Sequence, residues 1–265
     1  AKATRLEKAE RKTLDLAHWR QPYFRLAVAD GMGGHEGGQQ IAEALIKALC
    51  DLPPQRKPSV LRDKIAEIHD RLLEQYALDH LRSPGTTLVM ADIHASGEAV
   101  IANVGDSRAY LWREQRWQQI TYDQTLNEYD WRDDTLEGEA YNPQEKSHRL
   151  AQAMGYGSYG LIKNEYNYRP RQLNRHLRLD LAEELPEDKQ NPDIFTLQLA
   201  KGEALLLASD GLWSVPAGKS PLVLPHPKDL ATQEGLQTFL QKVQENGSSD
   251  NMTAVMLSAP LREVV

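Results

Sequence analysis

The chain has a single cysteine, no apolar run long enough to cross a bilayer, and no surplus of positive charge. Each absence removes a class of protein. Cys50 has no partner for an internal disulfide and falls on the apolar side of an expected helix, which makes it a packing residue rather than a nucleophile. No stretch approaches the roughly 20 apolar residues that a spanning helix needs, and no charged n-region followed by an apolar h-region opens the chain. The expectation is therefore a cytoplasmic protein with no membrane partner. A formal net charge of −7 leaves no global basic surface, which excludes nucleic acid as a first partner. There is no internal repeat and no Cys/His cluster, and the second absence argues against a structural zinc site.

What is present is a set of short strand patterns and a few long helical ones. At 265 residues the chain is expected to form one domain, 1–265. Runs rich in Val, Ile, Leu and aromatics predict strands over Phe24–Ala29, Thr86–His94, Glu98–Val104, Ala109–Arg113, Ile194–Leu199, Glu203–Ser209 and Thr253–Ser258. The short turns at Ala95-Ser96-Gly97 and Lys201-Gly202 predict hairpins, hence antiparallel sheet. Three stripes at helical spacing predict core-facing helices: Ile41, Leu45, Leu49; Leu61, Ile65, Ile68, Leu72, Tyr76; and Leu236, Leu240, Val243. They sit between groups of strands instead of alternating with each one, so the fold class expected is α+β, a sandwich and not a doubly wound parallel sheet. The segment 156–192 lacks sustained periodicity and predicts an irregular surface insertion, with a short helix within Leu173–Leu185.

Four Asp-centred motifs stand where strands run out. The strand before Asp30 ends in DGMGG at 30–34, and the strand LLLAS at 205–209 ends on Asp210-Gly211. Gly105-Asp106-Ser107-Arg108 follows the VIANV run, and Ser248-Ser249-Asp250-Asn251 precedes the last strand. A lone Asp-Gly or Ser-Asp-Asn is well explained as a turn, because Asp and Asn bond their own backbone. Four at strand ends point instead to one shared site for a small cation, glycine allowing the backbone to approach it closely. Hard oxygen donors of this kind suit Mg²⁺ or Mn²⁺.

VADGMGGH at 28–35, SPGTTLVMA at 83–91, IANVGDSRAYLW at 101–112, LLLASDGLW at 205–213 and SSDNMTAVML at 248–257 together resemble the metal-dependent serine/threonine protein phosphatases of type 2C, in that family's order and spacing. DGMGGH resembles the bacterial branch. The resemblance implies two antiparallel β-sheets packed face to face and flanked by helices, with two metal ions, or three, at one end. It implies that Asp30 bridges the ions, that the Gly31 carbonyl adds an oxygen, that Asp210 and Asp250 hold one ion from the opposite sheet, and that Asp106 helps hold a third. Asn251 would orient its neighbour. It further implies phosphorylated proteins as substrates, opposition to a serine/threonine kinase, and hydrolysis by water activated between two ions. A monomer satisfies all of this.

The N-terminal signature of the family is the thinnest match. Arg11-Lys12-Thr13-Leu14-Asp15-Leu16 stands at its place, so the resemblance assigns Arg11 to the substrate phosphate and Asp15 to a metal. The same residues also read as a solvated basic pair and a surface Asp. Met32 occupies the position where many eukaryotic members carry a His thought to protonate the leaving group. His35 reads as a capping residue, His148 as structural or flap-bordering, Arg149 as either a substrate contact or a surface residue, and Trp213 and Met154 as core. The replacements at Leu14 and Leu16 leave a second function open, a catalytically weak member acting as a regulatory or binding module.

Overall fold

The computed structural model describes residues 22–32, 35–76, 84–134, 150–156, 177–216 and 218–258. Its elements run β1 (Tyr23–Val28), β2 (Gly31–Met32), α1 (His35–Asp51), α2 (Pro58–Tyr76), β3 (Gly85–Thr86), β4 (Leu88–His94), β5 (Glu98–Val104), β6 (Arg108–Arg113), β7 (Arg116–Gln119), α3 (Leu126–Arg132), β8 (Ile194–Gln198), β9 (Ala204–Ala208), α4 (Pro227–Leu230), α5 (Gln233–Glu245) and β10 (Ala254–Ser258). Two four-stranded antiparallel sheets, β1-β4-β5-β8 and β10-β9-β6-β7, form the centre, and β2 pairs with β3 in a small ribbon.

The period-2 alternation of each strand sorts side chains into layers. In β4, Leu88 and Met90 face α1 and α2 and pack on Ile41, Leu45, Leu49, Leu61, Ile65, Ile68 and Leu72. The alternate residues Val89, Ala91 and Ile93 face the other sheet and meet Ala109, Leu111, Leu205 and Leu207. On the far face of that second sheet, Leu206 and Ala208 pack with Phe239 and Val243 of α5, Leu230 of α4, and Trp213. The result is the helix–sheet–sheet–helix sandwich expected from the sequence. Sheets covered on both faces explain why LVMADI and ALLLA read as unbroken apolar runs. Asp92 is the exception within β4: fully buried, it accepts a bidentate pair from Arg25 at 2.6 and 2.7 Å, and Arg25 also donates to the Leu49 and Leu52 carbonyls at the end of α1. The pair anchors the helix layer to the sheet.

Two predicted elements differ. The strand expected over Thr86–His94 breaks at Thr87, whose backbone turns aside to bond Asp30. In the expected insertion, 157–176 lies outside the described residues, and no helix spans 177–181. Leu177, Leu179 and Leu181 alternate in extended chain, Leu179 and Leu181 are buried in the helix-side core, and Leu181 bridges Ile194 in parallel. Among the described residues of the stretch expected to be helical, only Ala182–Glu184, a single 3₁₀ turn, is so. The spacing of these leucines also fits non-helical chain, and the core took them in that form, with one isolated bridge at Leu181.

Polar bonds hold this segment too. The buried Arg132 of α3 pairs with Glu128 at 3.0 Å, Asp180 at 2.8 Å and Asp193 at 2.9 Å. Gln152 donates to the Arg178 carbonyl and accepts from the Arg178 N–H. Burial pushes the Glu128 carboxyl up to about 7 against the pull of Arg132, and the charge of Asp193 adds to the rise. Among the described residues no helix is long and apolar enough to cross a membrane.

Candidate metal centre

Strand register decides which loops meet. Val28 pairs with Val89 and Leu88 with Val104, so Asp30, Thr87 and Gly105, just beyond them, emerge at one end of the first sheet. In the second sheet Ala208 pairs with both Arg108 and Ala254, which gathers the turns carrying Asp106, Asp210 and Asp250. The two ends coincide. Asp30 lies close enough to Asp210, Asp250 and Asp106 to feel the charge of all three.

The electrostatics of this end are those of an anionic cluster short of cations. Burial, followed by repulsion from Asp210, Asp250 and Asp106, pushes Asp30 up from 3.8 to about 7. Burial, then Asp210 and Asp123, pushes Asp106 to about 7. Asp210 is raised too, by burial and then by Asp250. The guanidinium that acts on Asp106 and Asp210 is Arg108, and it is already committed. It bonds Asp123 at 2.8 and 2.7 Å and lies 4.5 Å from the centroid of the buried Trp213 ring.

Backbone bonds fix where each carboxylate starts. The Thr87 hydroxyl accepts from the Asp30 N–H at 3.1 Å, the Thr87 N–H donates to the Asp30 carbonyl at 2.8 Å, and the Thr86 hydroxyl donates to the same carbonyl at 3.0 Å. On the Asp106 turn, Gln124 accepts from the Gly105 N–H at 2.9 Å and Asn103 donates to its carbonyl at 3.2 Å. The Asp210 and Asp250 loops are tied by the Ser248 hydroxyl to the Gly211 carbonyl at 2.7 Å and by the Thr253 N–H to the Ser209 hydroxyl at 3.0 Å. The Asn251 N–H donates to the Asp250 carboxylate at 2.7 Å, so it is the backbone of Asn251 that orients its neighbour.

The glycines after Asp30 and Asp210 make close approaches, but to other backbone. A Cβ on Gly31 would stand 2.2 Å from the Gly38 carbonyl oxygen, and one on Gly211 would stand 2.3 Å from that of Asn251. The glycines let the loops that carry Asp30 and Asp210 stack on their neighbours. Of the other residues singled out in the sequence, Met32 lies in β2, Met154 is wholly buried and bonded to Thr86 through both its backbone groups, and Trp213 is core. Arg11, Asp15, His148, Arg149 and the side chain of His35 lie outside the described residues. Thr87, Ser107, Asn103 and Gln124 were missed. The Thr-Thr before β4 was the one visible signal, and it lay inside a predicted strand.

The donor set fits a hard divalent cation. It consists of carboxylates at the mouths of four loops, and the raised pKa values of Asp30, Asp106 and Asp210 mark negative charge that, among the described residues, Arg108 offsets only in part. Among the described residues no three His, Cys, Asp or Glu side chains form a ready-made cage. Mg²⁺-like ions do not require one, since each takes one or two carboxylates and keeps several waters.

The family model for protein phosphatase 2C matches residues 14–262. The chain belongs to the protein phosphatase 2C family. Among bacterial relatives of this phosphatase, the serine/threonine phosphatase stp of Listeria welshimeri is 28% identical over 247 residues, 89% of this chain and 84% of that one. The solved serine/threonine phosphatase of S. agalactiae superposes with a TM-score of 0.59 at 21% identity, covering 89% of this chain and 88% of the other. The catalytic domain of PstP in complex with 2 manganese ions gives 0.52 at 22% identity, over 88% of this chain and 86% of that one. At these identities the solved structures establish the likeness of fold.

Proposed function

We propose that this protein phosphatase hydrolyses phosphoserine and phosphothreonine in protein substrates, at a centre of two, and at most three, Mn²⁺ or Mg²⁺ ions. The observation that carries the reading is the cluster of Asp30, Asp106, Asp210 and Asp250, buried enough to push Asp30 and Asp106 to about 7, with the Arg108 guanidinium that acts on it committed to Asp123. The names of the bacterial relatives support the substrate class, and the manganese in PstP supports the ions.

In this reading Asp30 would hold the ions with an added oxygen from the Gly31 carbonyl, Asp210 and Asp250 would hold one from the second sheet, and Asp106 would assist a further one. Asp15 completes the set and Arg11 binds the substrate phosphate. When bound, the ions supply an acidified water as nucleophile and positive charge for the phosphoryl oxygens. The chain's own residues orient and exclude. Thr86 and Thr87 lock the Asp30 backbone, Ser248 ties the Asp210 loop to the Asp250 loop, and Asp123 keeps Arg108 from neutralising the cluster. Met32 has no proton to give, so the proton for the leaving oxygen would come from water or another group. The protein acts in the cytoplasm as a monomer, against a serine/threonine kinase.

The test is Mn²⁺-dependent release of phosphate from a phosphothreonine peptide. The expected result is turnover by the wild type and its loss in Asp210→Asn. A wild type inert at saturating Mn²⁺ would instead favour a regulatory or binding module, the reading to which Leu14 and Leu16 point.

A further inference from the structure

We propose that Thr87 and Ser107 are positioning residues whose hydroxyl-to-hydroxyl bond sets the spacing between Asp30 and Asp106, and so couples ion binding at one carboxylate to the other. This rests on the metal-centre reading above. The two oxygens are 2.6 Å apart, and Thr87 and Ser107 are only 5% and 1% exposed, so water does not compete for the bond. Thr87 reaches in both directions. Its oxygen accepts the Asp30 N–H at 3.1 Å while meeting Ser107, the residue directly after Asp106. Its methyl packs so closely on the same turn that a Cβ on Gly105 would come within 2.9 Å of it.

Gly105 itself sits at φ +97°, a conformation that a residue with a Cβ rarely adopts. The turn carrying Asp106 is therefore shaped by its contact with Thr87 on one side and by Asn103 and Gln124 on the other. Asp30 is fixed by the same threonine at its N–H and carbonyl, with Thr86 adding a bond to the carbonyl. The two carboxylates lie near enough for the charge of Asp106 to act on Asp30. A shift of either loop is thus transmitted to the other through one buried hydroxyl pair. An ion that draws Asp30 into place also places Asp106.

Mn²⁺ binding to the metal-stripped full chain, measured by titration calorimetry, tests this without reliance on turnover. Thr87→Val keeps the shape and removes the hydroxyl; Thr87→Ser keeps the hydroxyl; Ser107→Ala cuts the link while leaving the Asp30 bond. Loss of an outer partner of this kind is expected to weaken Mn²⁺ binding by about tenfold or more in Thr87→Val, with Thr87→Ser within about threefold of wild type. Ser107→Ala is expected to fall between them. The Thr87→Val/Ser107→Ala double variant is expected to be no worse than Thr87→Val alone, because Thr87→Val already breaks the bond that Ser107→Ala removes. Wild-type Mn²⁺ affinity in Thr87→Val and Ser107→Ala, each with a cooperative melt, would overturn the proposal. So would a Thr87→Ser as weak as Thr87→Val, which would assign the effect to the methyl. A wild type that takes up no Mn²⁺ would overturn the metal centre itself, a result separable from either of these.

Discussion

Replacing Gly211 with alanine asks the structure to move one specific loop. The added Cβ would lie 2.3 Å from the Asn251 carbonyl oxygen and 2.9 Å from its carbon, both backbone atoms that no rotamer change can clear. Reaching ordinary contact at about 3.5 Å requires the 250–252 backbone to recede by about 1 Å. That backbone carries Asp250 and is held by the Ser209 and Ser248 hydroxyls, so the displacement goes into the carboxylate or breaks the 2.7 Å bond from Ser248 to the Gly211 carbonyl. A misplacement of about 1 Å costs on the order of 100-fold in rate, about 2.7 kcal/mol of transition-state stabilisation. Steady-state hydrolysis of a phosphothreonine peptide with saturating Mn²⁺ reads the effect. Gly202→Ala, at φ +86° with nothing within 4 Å, is the control for backbone strain without displacement. It is expected to lower the melting temperature and leave turnover unchanged. If Gly211→Ala turns over like the wild type, the stacking of the two loops does not position Asp250 and the reasoning fails.

Asp30 and Asp106 both hold protons more tightly in the folded chain than in the unfolded one, since their folded pKa of about 7 exceeds the unfolded 3.8. The stability this gives the metal-free protein is complete below about pH 4 and falls as pH rises through 4 to 7. Melts in a chelator from pH 4.5 to 8 are expected to show that fall, shallower in Asp106→Asn; a metal-free melting temperature that rises across the window would refute it. Arg132→Met strands the buried Glu128 and Asp193 without their cation, while Asp180 keeps Arg178 at 3.1 Å, and loss of one partner from a buried ion pair costs about 3–5 kcal/mol. Urea unfolding measures this, and a loss under about 1 kcal/mol would show that water reaches the network. Glu114 and Gln115 turn β6 into β7 at φ 53° and 59°, conformations that cost L residues about 1–2 kcal/mol each. Replacing them with Asn-Gly is expected to raise the melting temperature, and a lower one would mean that their side chains stabilise the turn.

That turn also shows why part of the fold was hidden. A two-residue hairpin with positive φ at both positions is ordinarily announced by Asn-Gly, and Glu-Gln gives no such sign, so β7 went unread while its neighbours were found. Arg25 and Asp92, or Arg132 and its three carboxylates, were equally invisible. Their meaning lies in partners up to 67 residues away. The carboxylates were legible because the chemistry that gathers them needs short side chains at strand ends, and the sequence shows both.

The sequence by itself determined the layers, through short apolar runs bounded by turn residues and three apolar helical stripes, and it determined the four aspartates. Both are local patterns, carried by neighbours along the chain. The tertiary structure alone decided what those patterns meet. It gave the glycines their purpose as points where loop backbones stack, drew Leu179 and Leu181 into the core without a helix, and made Thr87 a joint between two loops. These outcomes depend on register and packing between distant segments, for which spacing along one segment carries no signal.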